Sequence, residues 1–262
     1  MVIGIDMGAS AVKIAALEGD RIVLTHYEPG RDVDVPALLS RLGINPASAE
    51  RVAVTGLSAQ KAGLEALGCT PEYLSEPAAI GAGAQWLTGR DNLVVASIGT
   101  GTAFVHAKGG EYHHICGTGV GGGTLRGLAT RVLGYENMRE FDALALSGDT
   151  RRVDLQIGDF VESYGQLDPY LTASNLARLD GTATDADWAA GLTNLVLQVI
   201  GTMSMMALNG ARAEAVAVIG AMAGTAASRA NFANFTCAYG LEFLIPEHCE
   251  CATAIGTARL IS

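Results

Sequence analysis

The chain has 262 residues, of which 49% are hydrophobic and 17% are charged. This composition predicts a globular protein with a large apolar core, and it excludes an intrinsically disordered chain. The net charge of −10 disfavours nucleic acid and anionic membranes as partners, because the overall field would repel their phosphates.

Residues 1–17 predict a β-hairpin with small residues at its tip. An apolar strand ends at Asp6, and a second apolar run follows the turn. A carboxylate at a strand end suits hydrated Mg²⁺, which prefers a few carboxylates together with waters and phosphate oxygens. Gly8 and Ser10 offer N–H and hydroxyl donors to a phosphate, while Lys13 either adds a positive charge or is a solvated strand residue.

Strand and helix patterns alternate through the next part of the chain, which predicts an α/β fold. Strands are predicted at residues 21–26, 51–56 and 73–74, and helices at residues 35–42, 59–67 and 78–87. The last of these helices is rich in small residues, which suits close packing at a junction between lobes. Glu76 directly precedes Pro77, and a proline disfavours helical geometry in the residue before it.

Two glycine-rich turns follow, at Ser97–Thr102 and Gly117–Thr124. The first comes after an apolar run typical of a buried strand, so its backbone amides can point into one small volume that suits an anion. The second runs into a helix pattern, and we expect free N–H groups and the positive end of the helix dipole at a phosphate there. Neither turn carries the dinucleotide fingerprint or the P-loop lysine. Each alone can be a tight turn without a ligand, but together they favour a nucleotide.

The remaining sequence continues the mixed pattern. Helices are predicted at residues 141–146, 159–163, 188–208 and 252–260, and strands at residues 215–220 and 242–245. The helix over 188–208 has the strongest pattern, and its methionines are interpreted as core filler. Its apolar stretch, Leu195–Leu208, contains Gln198 and Thr202 and is expected to be too short to span a bilayer.

The five cysteines are interpreted as reduced thiols of a cytosolic protein. Cys249 and Cys251 are too close in sequence for an ordinary disulfide or for the usual zinc spacing. No signal peptide is expected at the N-terminus, because Asp6 and Lys13 interrupt any apolar core of such a segment.

Several motifs together resemble the actin/Hsp70/sugar-kinase superfamily and, within it, the type II pantothenate kinases. Ile3–Lys13 is similar to the family's I-G-x-D-x-G-G/A-S/T-x-x-K motif, and Ser97–Thr102 and Gly117–Leu128 are similar to its two glycine-rich motifs. Further similar stretches are residues 147–159, 171–175, 218–220 and 254–258. The resemblance implies an α/β, two-lobed actin-like ATPase (ribonuclease H-like) fold with nucleotide in the cleft between the lobes. It also implies an N-terminal lobe over 1–75, with the C-terminal helix 252–262 packing back onto it, and a C-terminal lobe over 76–251 that carries a dimerisation helix.

The resemblance further implies ATP and Mg²⁺ as cofactors, with Asp6 positioning the metal. The residues that would bind the cofactors are Asp6, Met7, Gly8, Ala9, Ser10, Ala11, Val12, Lys13, Thr100, Gly101, Gly122, Gly123, Thr124, Leu125, Arg126, Met138 and Ala221. Glu76 would be the catalytic base, although a solvated glutamate at a helix start is the alternative interpretation. Arg126 stands where the family often has glutamine.

Substrate binding is where the sequence departs from the family pattern. His114 replaces the family's arginine, and a histidine is only partly charged near neutral pH and lacks the arginine fork. The family's glycines after Gly56 are replaced by Leu57–Gln60. His114, Thr172 and Asn175 are the candidate substrate-binding residues. For His114 the alternative is a strand-end residue without a site role, and Thr172 and Asn175 can equally cap a turn.

The resemblance predicts a cytoplasmic, homodimeric, ATP-dependent kinase that phosphorylates the hydroxyl of pantothenate, the first step of coenzyme A biosynthesis. Coenzyme A or acyl-CoA is a possible feedback ligand. One alternative is a kinase for an amino sugar, a pantothenate derivative or another small alcohol. Another is a non-catalytic sensor of nucleotide or coenzyme A. An activator ATPase of the radical-dehydratase type shares the fold, but it needs cysteines for a shared cluster, and Cys116 alone lies near the glycine-rich turn.

Overall fold

The computed structural model describes residues 1–59, 64–161, 168–179 and 181–262. The N-terminal part forms a five-stranded sheet in the order β3-β2-β1-β4-β5. Its elements are β1 (Val2–Met7), β2 (Ala11–Glu18), β3 (Arg21–Pro29), α1 (Val35–Arg41), β4 (Arg51–Thr55) and β5 (Glu72–Tyr73). Strand β1 is buried at every position because it lies between antiparallel β2 and parallel β4, with helices on both faces.

A second five-stranded sheet has the order β12-β11-β6-β7-β8. Its elements, with the helices between them, are α2 (Glu76–Thr88), β6 (Leu93–Ile98), β7 (Thr102–Lys108), β8 (Glu111–Thr118), α3 (Gly122–Leu133), α4 (Met138–Ser147), β9 (Leu155–Gln156), β10 (Thr172–Ser174), α5 (Asp185–Ala211), β11 (Ala215–Ile219), α6 (Ala226–Tyr239), β12 (Phe243–Leu244) and α7 (Ala252–Arg259). The valine-rich β6 and β11 pair in parallel at the centre, and β9 and β10 form a separate small sheet.

Helix α7 packs against the first sheet. The two backbones approach so closely that only glycine fits at the contact. A Cβ on Gly4 of β1 would lie 2.1 Å from the carbonyl oxygen of Ala254. Helix α2 packs equally closely on α7, since a Cβ on Gly256 would lie 1.9 Å from the oxygen of Ala79. The small residues of α2 therefore allow the close helix packing that the sequence predicted. These contacts support our proposal of an N-terminal lobe over 1–75 with α7 packed back onto it, and a C-terminal lobe over 76–251.

Helix α5 is longer than the apolar stretch read from the sequence. It has 27 residues, and it is the single helix in the described part of the chain that is long and apolar enough to cross a membrane by length and composition. The stretch Leu195–Leu208 is only part of this helix, because helical residues continue beyond both of its ends. Of its most apolar window, 56% is buried inside the fold, where Leu192, Val196 and Ile200 contribute to the core.

Several predicted helix limits change in the structure. Leu64–Leu67 and Ile157–Asp159 are 3₁₀ helices, and the rest of the predicted helices over 59–67 and 159–163 falls partly on residues 60–63 and 162–163, which lie outside the described residues. Helix α2 begins at Glu76, so Pro77 occupies its first turn, where the missing N–H costs no helical hydrogen bond.

Candidate active site

A cavity of about 1320 Å³ opens between elements of the two sheets. Its walls come from the β1–β2 hairpin, the end of β3, both glycine-rich turns, helices α3 and α4, and the first residues of α2 and α7. Glycines are frequent in this lining, so that much of the wall is backbone and can approach a ligand closely. We call this cavity the cleft.

Strand register places a row of polar side chains on one face of the first sheet. Asp6 pairs with Lys13 on one side and with Thr55 on the other, and Lys13 pairs with Tyr27. Residues in register on adjacent strands share a face and lie about 5 Å apart. Asp6, Lys13 and Tyr27 all line the cleft, while the Thr55 hydroxyl donates to the carbonyl oxygen of Leu74 at 2.9 Å.

The Asp6 carboxylate is buried and only half satisfied. Its Oδ2 accepts a hydrogen bond from Lys13 Nζ at 3.0 Å, but its Oδ1 is buried without a partner among the described residues. An unpaired buried carboxylate oxygen is costly, and a hydrated cation beside it would relieve that cost. The described residues contain no group of three histidine, cysteine or acidic side chains that could hold a metal ion together. The site therefore fits Mg²⁺ held by one carboxylate, with waters and phosphate oxygens as its other ligands.

Glycine is required beside Asp6. Gly56 has φ of +100°, a conformation that residues with side chains rarely adopt. A Cβ at this position would lie 2.5 Å from the carbonyl oxygen of Met7 and 2.9 Å from Asp6 Oδ1. The turn after β4 thus packs directly onto the end of β1 and encloses the carboxylate.

The tips of the two hairpins meet across the cleft. The hydroxyls of Ser10 and Thr100 lie 2.9 Å apart, which joins the first turn to the first glycine-rich turn. Within the described chain, the backbone N–H groups at both tips have no acceptor; they belong to Gly8, Ala9, Ser10, Thr100 and Gly101. Free amides that converge on one point are suited to the oxygens of a phosphate chain.

The second glycine-rich turn supplies fewer free N–H groups than the sequence predicted. Gly122 N donates to Gly99 O and Gly123 N to Thr100 O, both at 2.9 Å, while Gly121 N donates to the Thr124 hydroxyl at 3.2 Å. The reason is that the two turns pack backbone to backbone, as shown by a Cβ on Gly121, which would lie 2.7 Å from the carbonyl carbon of Gly101. The second turn therefore packs against the first. Its Gly119 and Thr124 amides have no acceptor in the described chain, like those at the hairpin tips.

Glu76 is the first residue of α2, half-buried in the cleft wall near Asp6 and Lys13. Burial raises the pKa of its carboxyl, the negative charge of Asp6 raises it further, and Lys13 partly offsets both. The carboxylate accepts no hydrogen bond from the part of the chain that the structure describes. A carboxyl with a raised pKa that faces a cleft is suited to accept a proton from a bound hydroxyl.

The raised pKa of Glu76 predicts a stability effect. Folding favours the protonated carboxyl, a contribution fully present below the ordinary value of 4.5 and lost as the pH rises through the raised pKa. At about pH 7.5 the ionised carboxylate therefore destabilises the fold, and Glu76→Gln should raise Tm relative to wild type. At about pH 4 the two proteins should melt together.

Thermal unfolding followed by circular dichroism at both pH values measures this difference. The matched control is Glu72→Gln, because Glu72 is exposed and bonded to Arg51 at 2.8 Å, so its loss should not raise Tm. A Glu76→Gln protein that melts below wild type at neutral pH would contradict the conclusion that the ionised Glu76 carboxylate destabilises the fold.

Most residues predicted to bind the cofactors line the cleft. Those are Asp6, Gly8, Ala9, Ser10, Ala11, Lys13, Thr100, Gly101, Gly122, Gly123, Thr124, Leu125, Arg126, Met138 and Ala221, together with Glu76. Met7 and Val12 pair with each other and point to the opposite face of the sheet, where they pack with Leu38 of α1. Their side chains belong to the core, because successive residues of a strand alternate between faces.

The three predicted substrate-binding residues lie elsewhere within the described structure. His114 is exposed on β8 and is not part of the cleft wall. The Thr172 hydroxyl donates to Asp154 Oδ2 at 3.1 Å, and Asn175 Nδ2 is buried without a partner among the described residues. The cleft of one chain does not bring these three residues together with Glu76, and their substrate roles stay predictions.

Sequence reasoning missed several cleft residues. Tyr27 and Arg31 lie on and beyond the end of β3, Leu57 follows Gly56, and Glu250 and Thr253 stand near the start of α7. None of them belongs to a motif with a recognisable spacing. Of these residues, only Tyr27 could have been predicted from the sequence. Pairing β3 with β2 in register places Tyr27 beside Lys13.

Solved structures define the class of fold. The chain is similar to component A of (R)-2-hydroxyglutaryl-CoA dehydratase from Acidaminococcus fermentans, with a TM-score of 0.70, 18% identity, and coverage of 98% of this chain and 95% of that one. It is also similar to a ROK family protein from Streptococcus pneumoniae, with a TM-score of 0.60, 12% identity, and coverage of 98% and 96%. The predicted α/β, two-lobed actin-like ATPase fold is confirmed.

Sequence relatives narrow the class to a family. The Fumble family model matches residues 92–239, more than half of the chain, and the chain belongs to this family. A type II pantothenate kinase from Staphylococcus saprophyticus is 28% identical over 231 residues, which cover 84% of each chain. One from Oceanobacillus iheyensis is 28% identical over 227 residues and 83% of each chain. The resemblance read from the sequence motifs is therefore confirmed.

Proposed function

We propose that this protein is an ATP-dependent kinase that transfers a phosphoryl group to the hydroxyl of a small molecule. The observation that carries the proposal is the position of Glu76. Its raised-pKa carboxyl lines the same cleft as Asp6, Lys13 and the converging amides of the two hairpin tips. Donors for a phosphate chain and a base for an alcohol thus share one cavity.

The described residues account for the parts that phosphoryl transfer requires. Backbone amides at the hairpin tips would hold the phosphate oxygens, with the Ser10 and Thr100 hydroxyls beside them. Asp6 would hold hydrated Mg²⁺, which when bound neutralises charge on the transferring group. Lys13 keeps the Asp6 side chain in position through its 3.0 Å hydrogen bond.

Glu76 would act as the general base. A hydroxyl placed within hydrogen-bond reach of the carboxylate would pass its proton to Glu76 as its oxygen attacks the terminal phosphorus. The bond from that phosphorus to the bridging oxygen would break, and ADP would leave with that oxygen. The position at the first turn of α2 holds the backbone of Glu76 rigidly, because α2 is packed closely against α7. Burial is the main cause of the raised pKa of Glu76, and the raised pKa strengthens the carboxylate as a proton acceptor.

Pantothenate is the acceptor that the relatives favour, since several relatives that match most of this chain are type II pantothenate kinases. A cytoplasmic, homodimeric enzyme with coenzyme A or acyl-CoA as feedback ligand belongs to the same proposal. ATP as the phosphoryl donor is supported by the related activator of 2-hydroxyisocaproyl-CoA dehydratase from Clostridium difficile, which was solved with bound ADPNP. That activator shares the fold, with a TM-score of 0.69 and 16% identity over 98% of this chain and 92% of its own.

A kinase for a different small alcohol is the second candidate. The observation that favours it is the cleft wall itself. Leu57 is 81% exposed and lines the same cavity as Asp6 and Glu76, whereas His114 is absent from the described lining. An apolar side chain at this position would favour a different acceptor shape from the one that a glycine-rich turn admits. The sensor of nucleotide or coenzyme A remains the non-catalytic alternative.

An acceptor panel tests the proposal. Purified protein with Mg·ATP should release ADP when pantothenate is added, and not with amino sugars. Pantetheine in the same panel reports whether the acceptor carboxylate is needed. Release with another alcohol would keep the kinase and replace the acceptor, whereas ATP binding with no release across the panel would support the sensor.

A further inference from the structure

Half of the chain's fourteen arginines form no ion pair with a carboxylate in the described residues, and three of these line the cleft. Seven arginines form ion pairs with carboxylates, namely Arg21, Arg41, Arg51, Arg90, Arg151, Arg178 and Arg259. Arg31, Arg126 and Arg131 line the cleft and pair with no carboxylate in the described parts of the chain. Because the chain carries a net charge of −10, unpaired cations in one cavity mark the place where an anion can bind.

Arg31 lies on the opposite wall from the other two. Arg126 and Arg131 belong to α3, whereas Arg31 follows the end of β3 in the N-terminal sheet. Pro29 pairs with Ala11, and Gly30 N donates to Ser10 O at 3.0 Å, so the segment before Arg31 is held against the first hairpin tip. Gly30 has φ of +140°, which turns the chain at this point and requires glycine.

The hairpin tip beside Arg31 is the point where the two phosphate-binding turns touch, through the Ser10 and Thr100 hydroxyls. The other cation of this wall, Lys13, is engaged by Asp6 at 3.0 Å. His114, which occupies the arginine position of the family motif, is exposed outside the cleft. Arg31 is therefore the unpaired cation that follows directly after Gly30, the residue whose N–H is hydrogen-bonded to the first hairpin tip.

We propose that Arg31 binds the terminal phosphate of a nucleoside triphosphate held at the hairpin tips. The inference rests on the nucleotide site of the proposed function and deepens it. A guanidinium is permanently charged and presents its N–H groups as a fork that matches phosphate oxygens. Placed at the terminal phosphate, it would also stabilise the charge that spreads over the phosphoryl oxygens during transfer.

Binding measurements test this without any turnover. Mg·ADPNP and Mg·ADP are titrated into wild type, Arg31→Gln and Arg31→Lys by calorimetry. Arg31→Gln should weaken ADPNP binding about tenfold or more, and ADP binding by less than about twofold, because a charge-assisted contact to the terminal phosphate is lost. Arg31→Lys should lie between, since lysine keeps the charge without the fork.

The matched control is Arg41→Gln, which removes an exposed arginine of the same lobe that bonds Glu28 at 2.6 Å. It should bind both nucleotides as wild type does. Equal weakening of ADPNP and ADP in Arg31→Gln, or no weakening of either, would overturn the proposal.

The outcome separates this inference from the proposed function. A wild-type protein that phosphorylates no alcohol, yet binds ADPNP through Arg31, would overturn the kinase and keep the terminal-phosphate contact. A wild-type kinase whose Arg31→Gln variant retains wild-type ADPNP affinity would keep the function and overturn the contact.

Discussion

Glu76→Gln should lower turnover by about 10²–10⁴-fold while leaving Mg·ADPNP affinity within about twofold of wild type. Glutamine has nearly the same shape as glutamate but cannot accept the hydroxyl proton. The nucleotide contacts assigned to the hairpin tips do not involve Glu76, so binding should persist. Steady-state kinetics and calorimetry on the same preparation separate the two effects.

The pH profile adds a second check on the same residue. The base must be ionised to act, so wild-type kcat should fall as the pH drops through the raised pKa of Glu76, which lies above 4.5. The residual activity of Glu76→Gln should lack this acid limb. Glu72→Gln, which alters an exposed glutamate that precedes the same helix, should keep both the rate and the limb. A Glu76→Gln enzyme that turns over like wild type would remove Glu76 from the chemistry.

Gly121→Ala should weaken nucleotide binding more than tenfold and destabilise the fold by about 1–3 kcal/mol, as overpacking does. The added Cβ would lie 2.7 Å from both the carbonyl carbon and oxygen of Gly101, and backbone atoms cannot rotate away as a side chain can. The two glycine-rich turns must then separate, and the amides of Thr100 and Gly101 would lose their position beside the first hairpin.

The control for this substitution is Gly210→Ala near the end of α5, where a Cβ would meet nothing within 4 Å. Alanine in an open helical position should leave nucleotide binding unchanged and add up to about 1 kcal/mol of stability. Urea unfolding and ADP titration compare the two variants. Wild-type nucleotide affinity in Gly121→Ala would show that contact between the turns is not needed for the site.

Local patterns predicted much of the fold because they report local physics. The hairpin over residues 1–17, the buried strand before Ser97–Thr102 and the small-residue helix after Glu76 all occur as predicted. Helix ends were less predictable. Glu76 belongs to α2 although Pro77 follows it, since a proline in the first turn breaks no helical hydrogen bond.

The candidate site depended on contacts between segments that are distant in sequence. The second glycine-rich turn has the pattern of a phosphate-binding helix start, but its Gly122 and Gly123 amides donate to carbonyl oxygens of the first turn. Hydrogen bonds between the two turns depend on how the turns pack in the folded protein, and the local sequence of each turn does not reveal this packing. Arg31 and Leu57 likewise reach the cleft because of strand register and the turn at Gly56, and not because of a motif.

The most direct measurement is a single-turnover assay in which [γ-³²P]ATP is mixed with excess enzyme, Mg²⁺ and pantothenate. Wild type should transfer the label from ATP to pantothenate, and Glu76→Gln should bind ATP but leave the label on it. Label that stays on ATP in the wild type, or that moves to pantothenate equally fast in Glu76→Gln, would contradict a kinase that uses Glu76 as its base.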